Sequence, residues 1–340
     1  MPLATWTERI GQRVSVRYLT PGGDQNDLVG ELVEVDGCLH VATTRGPAMV
    51  ALDRVLTGKV VPPRPSRPGP PHLVISITDL QRVMASHWQA FEAERLGGWL
   101  LRASGGFTGR ANSVLALGSP SLDPDAALTH AVGWYRERGL PAKVSVASPD
   151  PKADPRVDPD AGPAAVLRRA ATDAGWHLVD DGSALVMTAR TAALRHLGST
   201  DLLPAGMTVA VDDDPGPGWL ANYRYRGQEL PPAALALLRS APQQVFVSIR
   251  EGDETVAVAR GSLGGGWAGL TAVEVVPERR RRGLGVVLLG TVARWAVGAG
   301  ATCLYLQVAD SNTTAQQLYR RAGFAVQHRY DYLQEPPTRS

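Results

Sequence analysis

Between Val275 and Gly285 the chain passes from β-branched residues through Pro277-Glu278 and four consecutive arginines into Gly283-Leu284-Gly285, followed by the apolar run Val286–Val297. A strand has to stop at the proline, and a helix has to start behind the glycines. Such a junction leaves the first helical amides without intrahelical acceptors, at the end where the helix dipole is positive. An anion is the natural occupant. The glycines let it approach the backbone, and arginines add charge-assisted contacts suited to a diphosphate or a ribose phosphate. The loop lacks the Gly-Lys-Ser/Thr ending of a nucleotide P-loop.

About thirty residues further on stands Leu306-Gln307-Val308-Ala309-Asp310-Ser311-Asn312, followed by Thr313-Thr314-Ala315-Gln316-Gln317-Leu318-Tyr319 and then Gly323-Phe324. Read as a strand followed by a helix, this spacing puts Asn312, Ala315, Gln316 and Tyr319 on one helical face.

A chain of 340 residues exceeds one ordinary domain. Residues 1–61 alternate apolar and polar positions in short runs broken by Pro-Gly-Gly and Asp-Gly turns, which predicts a small SH3-like β-barrel. The prolines of residues 62–72 predict a semi-rigid linker. Residues 73–200 mix amphipathic helices, over Leu80–Phe91, Pro124–Arg138 and Pro163–Gly175, with strands over Trp99–Ala103, Ala111–Leu117, Ala142–Ala147 and Ser183–Ala189. A Pro/Asp-rich loop over residues 150–160 interrupts them. Residues 201–340 read as β-α-α-β-β-β-α-β-α-β, closing on a strand pair over Phe324–His328 and Tyr330–Leu333. The class is α/β (α+β), with a mixed sheet flanked by helices in the last segment.

Hydrophobic residues make up 44% and charged residues 20%, with no apolar run approaching the ~20 residues of a membrane span and no basic-then-apolar leader, so a soluble cytoplasmic protein is expected. The net charge of +2 gives no polyanion-binding bias. Only Lys59, Lys143 and Lys152 among the 35 basic residues are lysines, so the arginine run carries little weight by itself. Cys38 and Cys303 have neither zinc nor redox spacing, and no metal is expected.

The pattern Arg280-x-x-Gly283-x-Gly285, followed in order by Asn312-x-x-Ala315-x-x-Leu318-Tyr319-x-x-x-Gly323-Phe324, resembles the two signatures of the GNAT (GCN5-related) N-acetyltransferase superfamily over about residues 207–333. Gly98–Ser113 extends a weaker resemblance to an actinobacterial group of two-lobed members with an N-terminal SH3-like module. The resemblance implies tandem GNAT-like lobes. Residues 73–200 would be degenerate, lacking the Arg-x-x-Gly-x-Gly loop, and residues 201–340 would be catalytic with a splayed sheet.

It further implies acetyl-CoA as cosubstrate and a small-molecule or peptide primary amine as acceptor, which attacks the thioester directly. By the same resemblance Val273 and Val275 would pair with the pantetheine arm, and Arg280, Arg281, Arg282, Gly283, Leu284, Gly285 and Val286 would hold the diphosphate. Asn312 would touch the arm and Tyr319 would protonate the leaving thiolate. Many members carry a glutamate base where this chain has Gly269, which leaves Glu274 as the nearby carboxylate. Strict alternation turns Glu274 away unless a bulge intervenes. Trp219, Tyr223, Tyr225 and Tyr330 are candidates to line the acceptor cleft. Two other readings stay open: a non-catalytic acyl-CoA sensor, and a nucleic-acid-binding protein, for which no basic, aromatic-interleaved stripe is seen. A membrane partner is not expected; a homodimer is allowed.

Overall fold

The computed structural model of the chain describes residues 6–7, 9–10, 12–43, 46–61, 69–153, 162–199, 203–223 and 230–337. Strands β1 (Arg13–Leu19), β2 (Gln25–Val35), β3 (Cys38–Thr43), β4 (Gly46–Ala51) and β5 (Val55–Val60) form an antiparallel sheet in the order β4-β3-β2-β1-β5. Alternation turns Val14, Val16, Leu32, Leu39 and Val41 to one side, where they bury Trp6. Gly58 permits this, because a Cβ there would lie 2.2 Å from the Trp6 ring.

The SH3-like barrel expected for residues 1–61 is not found as a closed structure: β4 and β5 are opposite edges, with no pairing between them among the described residues. The chain turns from β4 into β5 through a single 3-10 turn, Leu52–Arg54, and lays β5 against β1 instead. Of the expected linker, residues 62–68 lie outside the described residues. An ion pair from Arg82 to Glu31 ties the small sheet to the remainder.

The remaining strands are β6 (Glu92–Leu96), β7 (Trp99–Ala103), β8 (Val114–Ala116), β9 (Lys143–Ser148), β10 (His177–Leu178), β11 (Ala184–Arg190), β12 (Met207–Asp212), β13 (Gln243–Glu251), β14 (Glu254–Gly264), β15 (Trp267–Val275), β16 (Cys303–Ala309) and β17 (Ala325–Gln334). They form one 12-stranded mixed sheet, ordered β12-β13-β14-β15-β16-β11-β17-β9-β8-β7-β6 with β10 beside β17. Two of its pairs are parallel, β15–β16 and β8–β9, each joined by a crossover helix, Leu284–Gly298 and Pro124–Arg136. β6 escapes a reading by hydrophobic pattern because Glu92-Ala-Glu-Arg-Leu96 is an exposed, charged edge strand.

The two halves exchange strands. β11 inserts between β16 and the first half of β17, where Ala184 faces Tyr330 and Thr188 faces Ala325. Reciprocally, the second half of β17 inserts between β9 and β10, with Tyr330 facing Ala147 and Gln334 facing both Lys143 and His177. The expected closing strand pair is therefore one continuous strand, whose two halves serve different neighbours. The boundary expected near residue 200 does not divide the sheet.

Leu284–Gly298 is apolar nearly all round and packs Val287, Leu288, Leu289, Val292 and Ala293 against β13, β14 and β15. Each such large side chain contributes roughly 2 kcal/mol by burial. The other half has its own core, where Ala127, Leu128, Ala131 and Trp134 of Pro124–Arg136 meet Val144 and Val146 of β9. Between them a third cluster joins Leu80 and Met84 of the helix Ile77–Ser86 to Tyr305, Tyr330 and Tyr332. Cys38 and Cys303 are free thiols.

Candidate active site

The pairing of β15 with β16 ends at Leu270–Leu306, although β15 continues to Val275 and β16 to Ala309. Past that point the strands splay into a wedge. At its apex the β14–β15 register slips between Val258 and Arg260, and Ala272 takes the left-handed φ of 53°. This is a β-bulge, and it inverts the alternation of β15. Ala268 and Leu270 pack on the core of Leu284–Gly298 before the bulge, as do Val273 and Val275 after it, while Ala272 packs on the opposite cluster. Glu274 is thereby moved to the face of Gly269 and Thr271, which strict alternation would have denied it.

The arginine/glycine loop follows through a 3-10 turn, Pro277–Arg279. Gly283 is the N-cap of Leu284–Gly298, with φ 79° and no capping side chain, and nothing lies within 4 Å of where its Cβ would project. The amides of Arg281 through Gly285 make no main-chain hydrogen bond among the described residues, whereas Val286 and Val287 donate to the Gly283 carbonyl. Arg281, at φ 63°, is in a conformation that usually favours glycine. Free amides, an open approach and a positive dipole end fit a diphosphate. The arginine run is not one basic face: Arg279 is paired with Glu251 at 2.6 Å, and Arg280 Nε donates to the Val275 carbonyl at 3.1 Å.

On the far side of the wedge the helix Thr313–Arg321 carries Tyr319, which is 8% exposed and stacks edge-on against Phe324 at 5.7 Å. Its ring is core, as packing alone would demand. Its hydroxyl makes no hydrogen bond among the described residues, yet it is not among the polar atoms sealed away from solvent. Burial, and then the Glu274 charge, push this phenol up to about 12, so it stays protonated near neutrality. Burial raises the Glu274 carboxyl above its ordinary value, and Arg280 pulls it partly back. Asn312 is the N-cap of Thr313–Arg321, its Oδ1 accepting the Ala315 amide at 3.0 Å, which leaves its amide nitrogen as the donor for a ligand.

Gly269 is closed to any side chain, since a Cβ there would stand 2.7 Å from both Ser262 Oγ and the Tyr305 hydroxyl. A glutamate base could not be accommodated at that position. Ser262 Oγ also lies 3.0 Å from His87 Nδ1. Burial drives the His87 imidazole down to about 4 and that of His328 down to about 3, so both are neutral and sequestered. Of the aromatic candidates, Trp219 is 3% exposed, donates to the Ala259 carbonyl and packs on Phe246 and Tyr223, which makes both Trp219 and Tyr223 core. Tyr225 lies outside the described residues. Tyr330 does border an opening: a small cavity between the two halves, lined also by Trp88, Arg102, Arg110, Gln307 and Tyr332.

Arg102 and the fully buried Arg260 were not singled out by motif. Their signal was an arginine inside an apolar strand run, Trp99-Leu-Leu-Arg102-Ala and Val256-Ala-Val-Ala-Arg260. Among the described residues no group of three or more His, Cys, Asp or Glu could hold a metal ion, and no helix is long and apolar enough to cross a membrane.

Residues 75–333 match a family model described as "Probable histone acetyltransferase Rv0428c C-terminal". Over 340 residues, 95% of each chain, the sequence is 30% identical to "Probable histone acetyltransferase Rv0428c" of Mycobacterium tuberculosis. It is 25% identical to "Uncharacterized N-acetyltransferase YobR" of Bacillus subtilis over 265 residues, 75% of this chain and 97% of that one. In fold it is similar to a GCN5-related N-acetyltransferase from Kribbella flavida, with TM-score 0.54 and 18% identity, covering 76% of this chain and 95% of that one. It is also similar in fold to a tandem GNAT protein from the clavulanic acid biosynthesis pathway, with TM-score 0.50 and 16% identity, covering 63% and 70%.

Proposed function

The chain belongs to the Rv0428c C-terminal acetyltransferase family, and so to the GCN5-related N-acetyltransferases; from that premise we propose that it moves an acetyl group from acetyl-CoA to a primary amine inside the β15–β16 wedge. The observation that carries this reading is the pairing of an uncapped helix N-terminus on one flank of the wedge with an unbonded phenol on the other.

Bound there, acetyl-CoA would supply an activated thioester. The amides of Arg281 through Gly285 hold its diphosphate, with Arg280, Arg282 and Val286 completing the loop. The unpaired edge of β15 at Val273 and Val275 offers main-chain groups to the pantetheine arm, and the Asn312 amide nitrogen offers one more donor. A main-chain amide near Val273 polarises the thioester carbonyl. Glu274, carried by the bulge onto the face of Gly269, accepts the amine proton, and its raised pKa suits a base working near neutrality. Tyr319 donates its proton to the departing sulfur. Holding two reactants in one wedge supplies much of the rate.

Calorimetry with acetyl-CoA, followed by thiol release against polyamines, amino acids and peptides with mass analysis of products, tests the proposal. Micromolar binding with acceptor-dependent release is expected. Tight binding with no release across the panel would replace the enzyme by an acyl-CoA sensor.

A further inference from the structure

Two buried guanidinium groups, those of Arg102 and Arg260, lie at the seam between the two halves. Arg102, only 6% exposed, lies on β7 and lines the cavity. Its Nε and Nη2 donate to the Ser113 carbonyl and hydroxyl, each at 3.0 Å, while Nη1 has no hydrogen bond among the described residues and is not sealed. Arg110, another lining residue, sits 4.4 Å above the Trp88 ring. Fully buried Arg260 lies 5.1 Å from the same ring and, among the described residues, bonds only the Leu238 carbonyl, the His87 carbonyl and the Thr271 hydroxyl. Neither Arg102 nor Arg260 has a carboxylate partner among the described residues.

Burial, opposed by nearby Tyr305, lowers Arg260 to about 10, and Arg110 depresses both Arg260 and Arg102 further. Buried guanidinium groups without a counter-ion are costly, and their planar donors match a carboxylate. The remaining polar walls are Gln81, Ser145, Gln307, Tyr330 and Tyr332, none of them acidic. With about 20 Å³ of free space, the cavity has room for about one water, whose place beside the guanidinium donors one oxygen of a carboxylate would take. Gln307 places it, being the first residue of β16 beyond Leu306, where pairing with β15 stops. Its Oε1 accepts the Tyr330 hydroxyl at 3.3 Å.

We propose that this cavity is the anchor for an anionic group on the acceptor, so that the amine acetylated here belongs to a small molecule bearing a carboxylate, such as an amino acid or short peptide with a free C-terminus. The inference rests on the acetyl-transfer reading. Arg102 and Arg110 grip the carboxylate from β7 and the turn after it, and the amine points past Gln307 into the wedge. A lysine-rich peptide tail would meet like charge at the same place.

The test compares matched acceptors: phenylalanine against phenylalaninamide and phenethylamine, a dipeptide against its C-terminal amide, and a lysine-rich peptide. Tenfold or greater preference in kcat/KM for the free carboxylates is expected, collapsing through KM in Arg110→Gln, with acetyl-CoA affinity by calorimetry unchanged within twofold. Arg102→Lys, which keeps the charge but loses the fork, should weaken the preference without abolishing the fold. Calorimetric binding of N-acetylphenylalanine against its amide in the presence of CoA gives a readout independent of turnover. Equal use of amides, a preference for the lysine-rich peptide, a preference surviving both variants, or no acceptor turning over despite acetyl-CoA binding would each overturn the inference. Failure of acetyl-CoA to bind would sink the acetyl-transfer reading beneath it, and calorimetry separates that case.

Discussion

The helices Pro124–Arg136 and Leu284–Gly298 occupy the same slot in the two halves of the large sheet, each crossing between parallel strands. The charges flanking their N-termini are opposite in sign. Asp123 caps the former, its carboxylate accepting the Ala126 amide at 3.0 Å, with Asp125 in the first turn. Gly283 caps the latter with no side chain, behind a run of arginines. One end satisfies its amides with a built-in anion; the other keeps them for an anion from outside.

The next helices differ in the same way. Gly162–Asp173 and Thr313–Arg321 are each followed by a glycine of positive φ, Gly175 at 79° and Gly323 at 97°. After each, an aromatic amide turns back onto the helix: Trp176 N to Ala171 O at 2.8 Å, and Phe324 N to Tyr319 O at 3.0 Å. Ala171 is therefore the counterpart of Tyr319. A shared backbone plan carries chemistry in one half through three or four residues, and we read the other half as having lost it while keeping the packing.

Tyr319→Phe makes the sharpest cut across this contrast. It should lower kcat by about a hundredfold to a thousandfold in thiol-release assays, with acetyl-CoA affinity nearly unchanged, because general-acid terms are of that size. Wild-type turnover in that variant would reduce the difference from Ala171 to packing. Gly283→Asp imposes the acidic cap of Pro124–Arg136 on the arginine loop; the acetyl-CoA Kd should rise roughly a hundredfold by like-charge repulsion and a blocked amide, and an unchanged calorimetric Kd would place the diphosphate elsewhere.

Glu274→Gln should cost about a hundredfold in kcat/KM and flatten its pH profile. In the wild type, activity grows as the carboxylate deprotonates, so the rising limb should lie above the ordinary carboxylate range because burial raises this group. An identical limb in the variant would assign the proton to water. The smallest effect belongs to Asp123→Ala: a loss of about 1 kcal/mol in denaturant unfolding, with no change in acetyl-CoA affinity. A weakened affinity there would mean that the two slots are not functionally distinct.

What could be read from the sequence was local. The loop from Val275 to Gly285 and the helix holding Tyr319 each depend on neighbours within a few residues, and both lie where their spacing placed them. The bulge at Ala272 was legible only as a condition that Glu274 would need. Asn312, expected at the pantetheine arm, also makes the capping bond to Ala315, which its place before the helix did not by itself reveal. Trp219 and Tyr223 were indistinguishable from cleft residues until Phe246 and the Ala259 carbonyl were seen against them. The seam between the halves was invisible, because Trp88 and Arg260 meet across more than 150 residues of chain and no periodicity encodes such a meeting. The continuous β17 was hidden for the same reason: its partners on either side come from the other half.

Residues 325–334 leave the ribosome after the other strands of the sheet, yet they fill one of its central lanes. Until they arrive, β9 and β11 each present a bare row of amides and carbonyls, the kind of edge that recruits other chains. The earlier half thus waits, unfinished, for the later one, and a nascent protein stalled before Ala325 is left with two adhesive borders and neither half complete.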